Sequence, residues 1–208
     1  MLGRRTFLLT SVSVASLAAS GCTDGLLGGV AGPPSDLYTL TPKSTFDPGL
    51  PTVAWQLVVE EPIASGGLNI ARIALRDDPT RLDYFKGVRW TERAPEMVQT
   101  LLVESFENTG KIVSVGRQTL GLRSDYNLKT ELREFQAEFD GAAAVPTIRV
   151  RLNAKIIKQP RRKIIASKNF ESKIVADGSS MQDIIHGYDT ALGKVMRHVV
   201  EWTLVNAQ

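Results

Sequence analysis

From Ile148 to Ile156 apolar and polar residues alternate without a break, and this run constrains the fold more than any other part of the chain. Ile148, Val150, Leu152, Ala154 and Ile156 fall on one side, with Arg149, Arg151, Asn153 and Lys155 on the other. A period of two is the signature of a half-buried strand. Leu128 to Phe139 also alternates, but its phase changes midway, as Leu128, Thr130 and Leu132 give way to Phe135, Ala137 and Phe139. One extra residue near Arg133-Glu134, a β-bulge, would produce that change. Pro160-Arg161-Arg162 turns the chain into a third run, Lys163 to Val175. The three runs read as an antiparallel meander with one apolar face, and such a face must be covered.

Two amphipathic helices are available to cover it. The first spans about Glu92 to Asn108, where Ala94, Val98, Leu101, Leu102 and Phe106 recur at helical spacing and Gly110 is placed to stop it. The second begins after Ser179, where Ser179-Ser180-Met181-Gln182 fits a capping box, and runs to about Leu204. Down one side it carries Met181, Ile184, Ile185, Tyr188, Leu192, Val195, Met196, Val199 and Trp202. Core packing accounts for that stripe more simply than a partner surface does. Shorter strands are expected at Val53–Val59, Ala71–Leu75, Leu82–Trp90 and Lys111–Val115, with a turn at Asp77-Asp78-Pro79 and a short extended piece at Leu37-Tyr38-Thr39-Leu40. Thr41 to Pro51, with Pro42, Pro48 and Pro51, reads as loose. The expected class is α+β: a mostly antiparallel sheet with two main helices packed on one face.

The N-terminus has the layout of a secretory signal. Arg4 and Arg5 supply charge, Phe7 to Ala19 an apolar and small-residue stretch, and Ala18-Ala19-Ser20-Gly21 lead to Cys22. The apolar stretch is shorter than the roughly 20 residues that cross a bilayer as a helix. Small residues before a cysteine resemble the lipobox of bacterial lipoproteins, in which the thiol receives a diacylglycerol, the signal is cut away and the new amine is acylated. Ala19 stands where lipoboxes usually carry Leu. Cys22 is the only cysteine, and acylation removes the liability of an unpaired thiol in an exported protein. Arg4, Arg5, Phe7 and Leu8 also resemble the twin-arginine export motif; a general-secretion signal with two adjacent arginines is the alternative. Thr23, where an Asp would favour inner-membrane retention, leans toward the outer membrane by resemblance to the enterobacterial sorting pattern. The expected domains are a signal peptide over 1–21, a lipidated Gly- and Pro-rich tether over 22–36, and one folded domain over 37–208.

Composition fits one ordinary domain, with 43% hydrophobic and 23% charged residues in 208. Loss of Arg4 and Arg5 with the signal takes the formal +3 close to neutral, which gives no electrostatic case for nucleic acid. His186 and His198 share the last helix but lie about 18 Å apart at about 1.5 Å per residue, too far to share a metal. No ligand cluster, phosphate loop or nucleophile elbow is present in the sequence. Asp77-Asp78 beside Pro79 reads as a solvated turn rather than a pair of acids. The run Lys158-Gln159-Pro160-Arg161-Arg162-Lys163 is the densest positive patch; a solvated hairpin tip is the simplest reading, and contact with acidic lipid headgroups or a partner the lesser one. Nothing here supports an enzyme, a cofactor or a metal.

Several pieces together resemble the auxiliary lipoproteins of ABC-type lipid transport systems, a family that includes the paraquat-inducible auxiliary lipoprotein associated with MCE-domain proteins. They are Cys22 with its tether, Leu37-Tyr38-Thr39-Leu40, the Val53–Val59 strand, Ile73-Ala74-Leu75-Arg76, Leu82-Asp83-Tyr84-Phe85, and Val88-Arg89-Trp90-Thr91-Glu92 opening the first helix. The meander and the last helix complete the order. The resemblance implies a non-catalytic, lipid-anchored component facing the periplasm. It implies work beside an inner-membrane permease, an ATPase and an MCE-domain protein, at the outer-membrane end of a lipid path, with homo-oligomer formation open. A stand-alone structural or assembly lipoprotein of the envelope is the alternative, and a hydrolase whose site forms only in three dimensions is a third.

Overall fold

The computed structural model describes residues 34–117, 123–141 and 143–207. The chain divides into two units, Met1–Pro34 and Ser35–Gln208, and the elements below belong to the second. In order they are β1 (Asp36–Tyr38), β2 (Val53–Val59), β3 (Ile63–Ala64), β4 (Arg72–Asp78), β5 (Arg81–Trp90), α1 (Ala94–Glu107), β6 (Ile112–Arg117), β7 (Tyr126–Glu138), β8 (Thr147–Lys158), β9 (Lys163–Val175) and α2 (Met181–Asn206).

The antiparallel meander forms as its alternation requires. Tyr126 of β7 lies opposite Lys158 of β8, and the pairing continues to Glu138 opposite Thr147. Leu132 faces Leu152 while Glu134 faces Arg151, so Arg133 is the extra residue of a bulge, where the phase change in the sequence places it. β8 pairs β9 from Thr147–Val175 to Lys158–Lys163. Every second residue of β8 from Ile148 to Ile156 is closed to solvent.

The free edge of β7 is shared by three shorter strands in succession. β2 runs beside Tyr126–Leu128, β3 beside Glu131–Leu132 and β4 beside Ala137–Glu138, each parallel to it. β5 joins β4 antiparallel, and β1 and β6 close the outer edges with parallel pairs to β5 and β2. The long meander makes the sheet mostly antiparallel by paired length. β3 is absent from the sequence reading because two residues carry no period. β4 continues through Asp77 and Asp78, and its turn is Pro79–Thr80.

Both helices cover the apolar face. α1 starts at Ala94, two residues after the expected Glu92, with Arg93 extended and a proline in its first turn. Proline is favoured there because its missing N–H is one the first turn leaves unpaired anyway. Gly110 takes a left-handed φ of 60° just past the end of the helix, which glycine adopts without a Cβ clash. The N-cap of α2 is Ser180, whose hydroxyl accepts from Asp183 N, so the cap sits one residue later than the sequence pattern suggested. α2 approaches β8 closely at Gly187, where a Cβ would lie 2.7 Å from Ile148 Cγ1.

Three aromatics tie the layers together. Tyr188 of α2 meets Trp90 of β5 edge-on at 5.2 Å and Phe135 of β7 at 5.1 Å between ring centroids. Such pairs add about 0.5–1.5 kcal/mol each beyond the area they bury. The connection from β1 to β2 straps the helices from outside, burying Leu40 and Leu50. Its backbone is held by their side chains: Thr41 N and Oγ1 donate to Asp189 Oδ1 at 2.7 and 2.9 Å, Lys43 N to Ser105 Oγ at 2.9 Å, and Asp47 N to Glu201 Oε1 at 3.1 Å.

Candidate docking face

The side of the meander away from the helices carries interlocked charges, and the β7 bulge is what assembles them. Before it, odd-numbered residues such as Glu131 point outward; after it, Glu134, Gln136 and Glu138 do, while Phe135 and Ala137 turn into the core. Without the extra residue the two sets would exchange faces. β8 adds Arg149, Arg151 and Lys155, β4 adds Arg76, and β9 adds Glu171.

Gln136 sits at the centre, closed to solvent. Its Oε1 accepts from Phe135 N at 2.8 Å, and its Nε2 donates to Glu134 Oε2 at 2.6 Å and Glu138 Oε1 at 2.9 Å. Glu134 also binds Arg151 at 2.7 Å and Arg76 at 3.6 Å. Glu138 reaches Arg149 at 3.5 Å, and Arg149 reaches Glu171 at 2.7 Å. Further along, Glu131 is shared by Arg133 at 2.8 Å and Lys155 at 2.9 Å. Burial is the largest influence on Glu134 and opposes its charge. The donors Gln136 and Arg151, with Arg76 and Arg149 nearby, outweigh it and hold the carboxyl below its ordinary range. Arg149 behaves in the mirror sense: burial opposes its charge, but Glu171 and Glu138 raise its affinity for the proton.

The network leaves donors over. The Nε–H groups of Arg76 and Arg151 are buried without an acceptor, as is the Oδ1 of Asn153 without a donor. At one end of the face, the β4–β5 turn and the β7–β8 connection enclose a cleft of about 600 Å³ lined by Arg76, Glu138, Phe139, Asp140, Arg149 and Lys173 among others. Charges paired this closely on an outer sheet face suit recognition of a polar, oppositely patterned surface.

The residues singled out in the sequence are distributed as follows. Arg4, Arg5, Phe7, Leu8 and Cys22 lie outside the described residues. Asp77 pairs with Arg81, and Asp78 accepts from the amide and hydroxyl of Thr80, so the two acids serve a turn. His186 and His198 are exposed on α2, the former 3.9 Å from Asp177. Among the described residues no three His, Cys, Asp or Glu side chains converge as metal ligands. The basic run forms the β8–β9 tip. The outer network itself escaped the sequence reading; its signal was the spacing of Glu131, Glu134 and Glu138, which acquires meaning only with the register to β8.

The model of the ABC-type transport auxiliary lipoprotein component matches residues 38–200. A crystal structure of a protein from Xanthomonas campestris is similar over 84% of this chain and 97% of that one, with a TM-score of 0.79 and 30% identity. A Chlamydia trachomatis protein shares the fold over 74% of this chain and 98% of that one, with a TM-score of 0.50 and 6% identity. An uncharacterised protein of Bradyrhizobium diazoefficiens is 26% identical over 197 residues, which is 89% of this chain and 51% of that protein. The chain thus spans about half the length of that curated relative. No helix among the described residues is long and apolar enough to cross a membrane. With its core, both helices and the charged face lying largely within the matched span, the chain belongs to the ABC-type transport auxiliary lipoprotein family.

Proposed function

We propose that the protein is a non-catalytic, lipid-anchored component of an ABC/MCE-type lipid transport system, facing the periplasm at the outer-membrane end of the transport path. The observation that carries this reading is the family match over residues 38–200. Around it, residues 1–21 are the export signal, Cys22 bears the lipid, residues 22–36 are the tether and residues 37–208 are the docking domain. The paired charges of the outer face are the surface through which the domain meets an MCE-domain protein, and through that protein a permease and an ATPase. Assembly of several copies around the lipid path is compatible with this arrangement. The domain supplies position rather than chemistry.

The test is affinity capture of the wild-type chain and of Cys22→Ser from crosslinked envelopes. Recovery of an MCE-domain protein with the permease and ATPase, reduced for Cys22→Ser, supports the proposal. Failure to recover any of the three with the wild-type chain, while the bait itself is fully extracted, overturns it.

A further inference from the structure

The β8–β9 hairpin ends in a knot of positive charge. Arg161, Arg162 and Lys163 are exposed and make no ion pair among the described residues. Lys163 stands directly opposite Lys158 in the closing pair of the hairpin, and like charges in that position repel. Arg162 holds a φ of 53°, in the left-handed region that favours glycine. From Lys155 to Phe170 the sequence contains no acidic residue. Asp125 lies against the hairpin through its carbonyl, which accepts from Gln159 N at 2.8 Å; its carboxylate is taken up by Gln56 N at 2.8 Å. Neither helix propensity nor sheet pairing explains a tip so charged.

The surroundings are amphipathic. Ile164 follows the basic run and is 54% exposed. Lys158 lies over the ring of Tyr126, which in turn meets Trp55 edge-on at 5.3 Å. Tyr126 itself is buried in the core, so the accessible part of this end is the cations with the exposed Ile164. That pairing matches the chemistry of a membrane interface, where charge meets headgroups and apolar groups enter the boundary. The patch is a projecting tip rather than a cradle, so it fits a broad anionic surface better than a free phosphate ion.

We infer that the β8–β9 tip is a second membrane contact that recognises anionic lipid headgroups independently of any acyl chain on Cys22. Attraction of this kind grows with each basic residue near the surface and is screened by salt over a Debye length. The contact shares with the proposed function only the presence of a nearby membrane; it needs neither the ABC system nor the lipid anchor.

The test uses the full chain with Cys22→Ser, leaving Ile164→Cys as the single thiol for an environment-sensitive dye; a second chain carries the dye at Asp177→Cys, beyond the far end of β9. The vesicles are phosphatidylcholine alone, or equal parts phosphatidylcholine and phosphatidylglycerol. The expected result is a blue shift at position 164 with the anionic vesicles only, reversed by salt, and none at position 177. Arg161→Gln with Arg162→Gln and Lys163→Gln weakens the response by on the order of tenfold or more. Equal shifts with neutral vesicles, equal shifts at both positions, or indifference to the triple substitution overturn the inference. Absence of any shift overturns it too, and leaves the tip to an acidic protein surface. Comparing the two vesicle types on the unaltered hairpin keeps the test decisive even if the triple variant folds poorly.

Discussion

Tyr188 of α2 donates its phenolic hydrogen to the carbonyl oxygen of Ala74 on β4 at 2.7 Å, a buried bond across 114 residues of sequence. It joins the last helix to a strand on the far side of β7, and the same ring packs against Trp90 and Phe135. Tyr188→Phe keeps the ring and leaves that carbonyl without its phenolic donor. The expected loss is about 1–2 kcal/mol in urea unfolding, with the slope unchanged. Burial raises the phenol above its ordinary range. The unfolded chain therefore ionises first, and stability falls as pH climbs past about 10; Tyr188→Phe should show a shallower alkaline loss.

Gly187 sets the distance between α2 and β8. Alanine in a helix interior gains up to about 1 kcal/mol over glycine. Here its methyl would meet Ile148 Cγ1 at 2.7 Å, and Ile148 is closed to solvent. Overpacking of that kind costs about 1–3 kcal/mol, so Gly187→Ala should be net destabilising. A double-mutant cycle with Ile148→Ala, read by thermal unfolding, should show the two changes to be strongly non-additive.

Glu134 ties the outer face to acid stability. Its carboxyl is held below the ordinary range in the fold, so the stability it contributes is present above the unfolded value of about 4.3. That contribution is lost as pH falls through the lower folded value. Glu134→Gln should lower stability at neutral pH by about 1 kcal/mol. It should also flatten the acid limb of a stability profile measured by circular dichroism from neutral pH downward.

Asp189 holds the strap at the point where it crosses α2. Asp189→Ala removes the acceptor of Thr41 N and Oγ1. Amide exchange should quicken at Thr41 and its neighbours on the strap, while the amides of β8 stay protected and global stability falls by about 1 kcal/mol or less.

These sites differ in how far the sequence announces them. The bulge at Arg133 is legible because a phase change is local to one strand, and β8 is legible because one face meets the core while the other carries charge. Gly110 likewise marks the end of α1 directly. The cap of α2 is displaced because two adjacent serines both satisfy the pattern and only the geometry selects Ser180 with Asp183. The parallel seating of β2, β3 and β4 along one edge of β7 depends on contacts far apart in sequence, and β3 is too short to carry a period. The charged outer face is the clearest case. Arg149 and Arg151 are visible as the polar half of β8, yet their pairing with Glu138 and Glu134 follows from the antiparallel register and the bulge together.

The central claim, that the domain docks through this charged face, is tested most directly by site-specific photocrosslinking in intact cells. A photoreactive residue at Lys173, on the rim of the cleft, should yield an adduct with an MCE-domain protein, and the same residue at His198, exposed on α2, should not. An adduct with that partner from His198 but not from Lys173, or from neither position, would contradict the account.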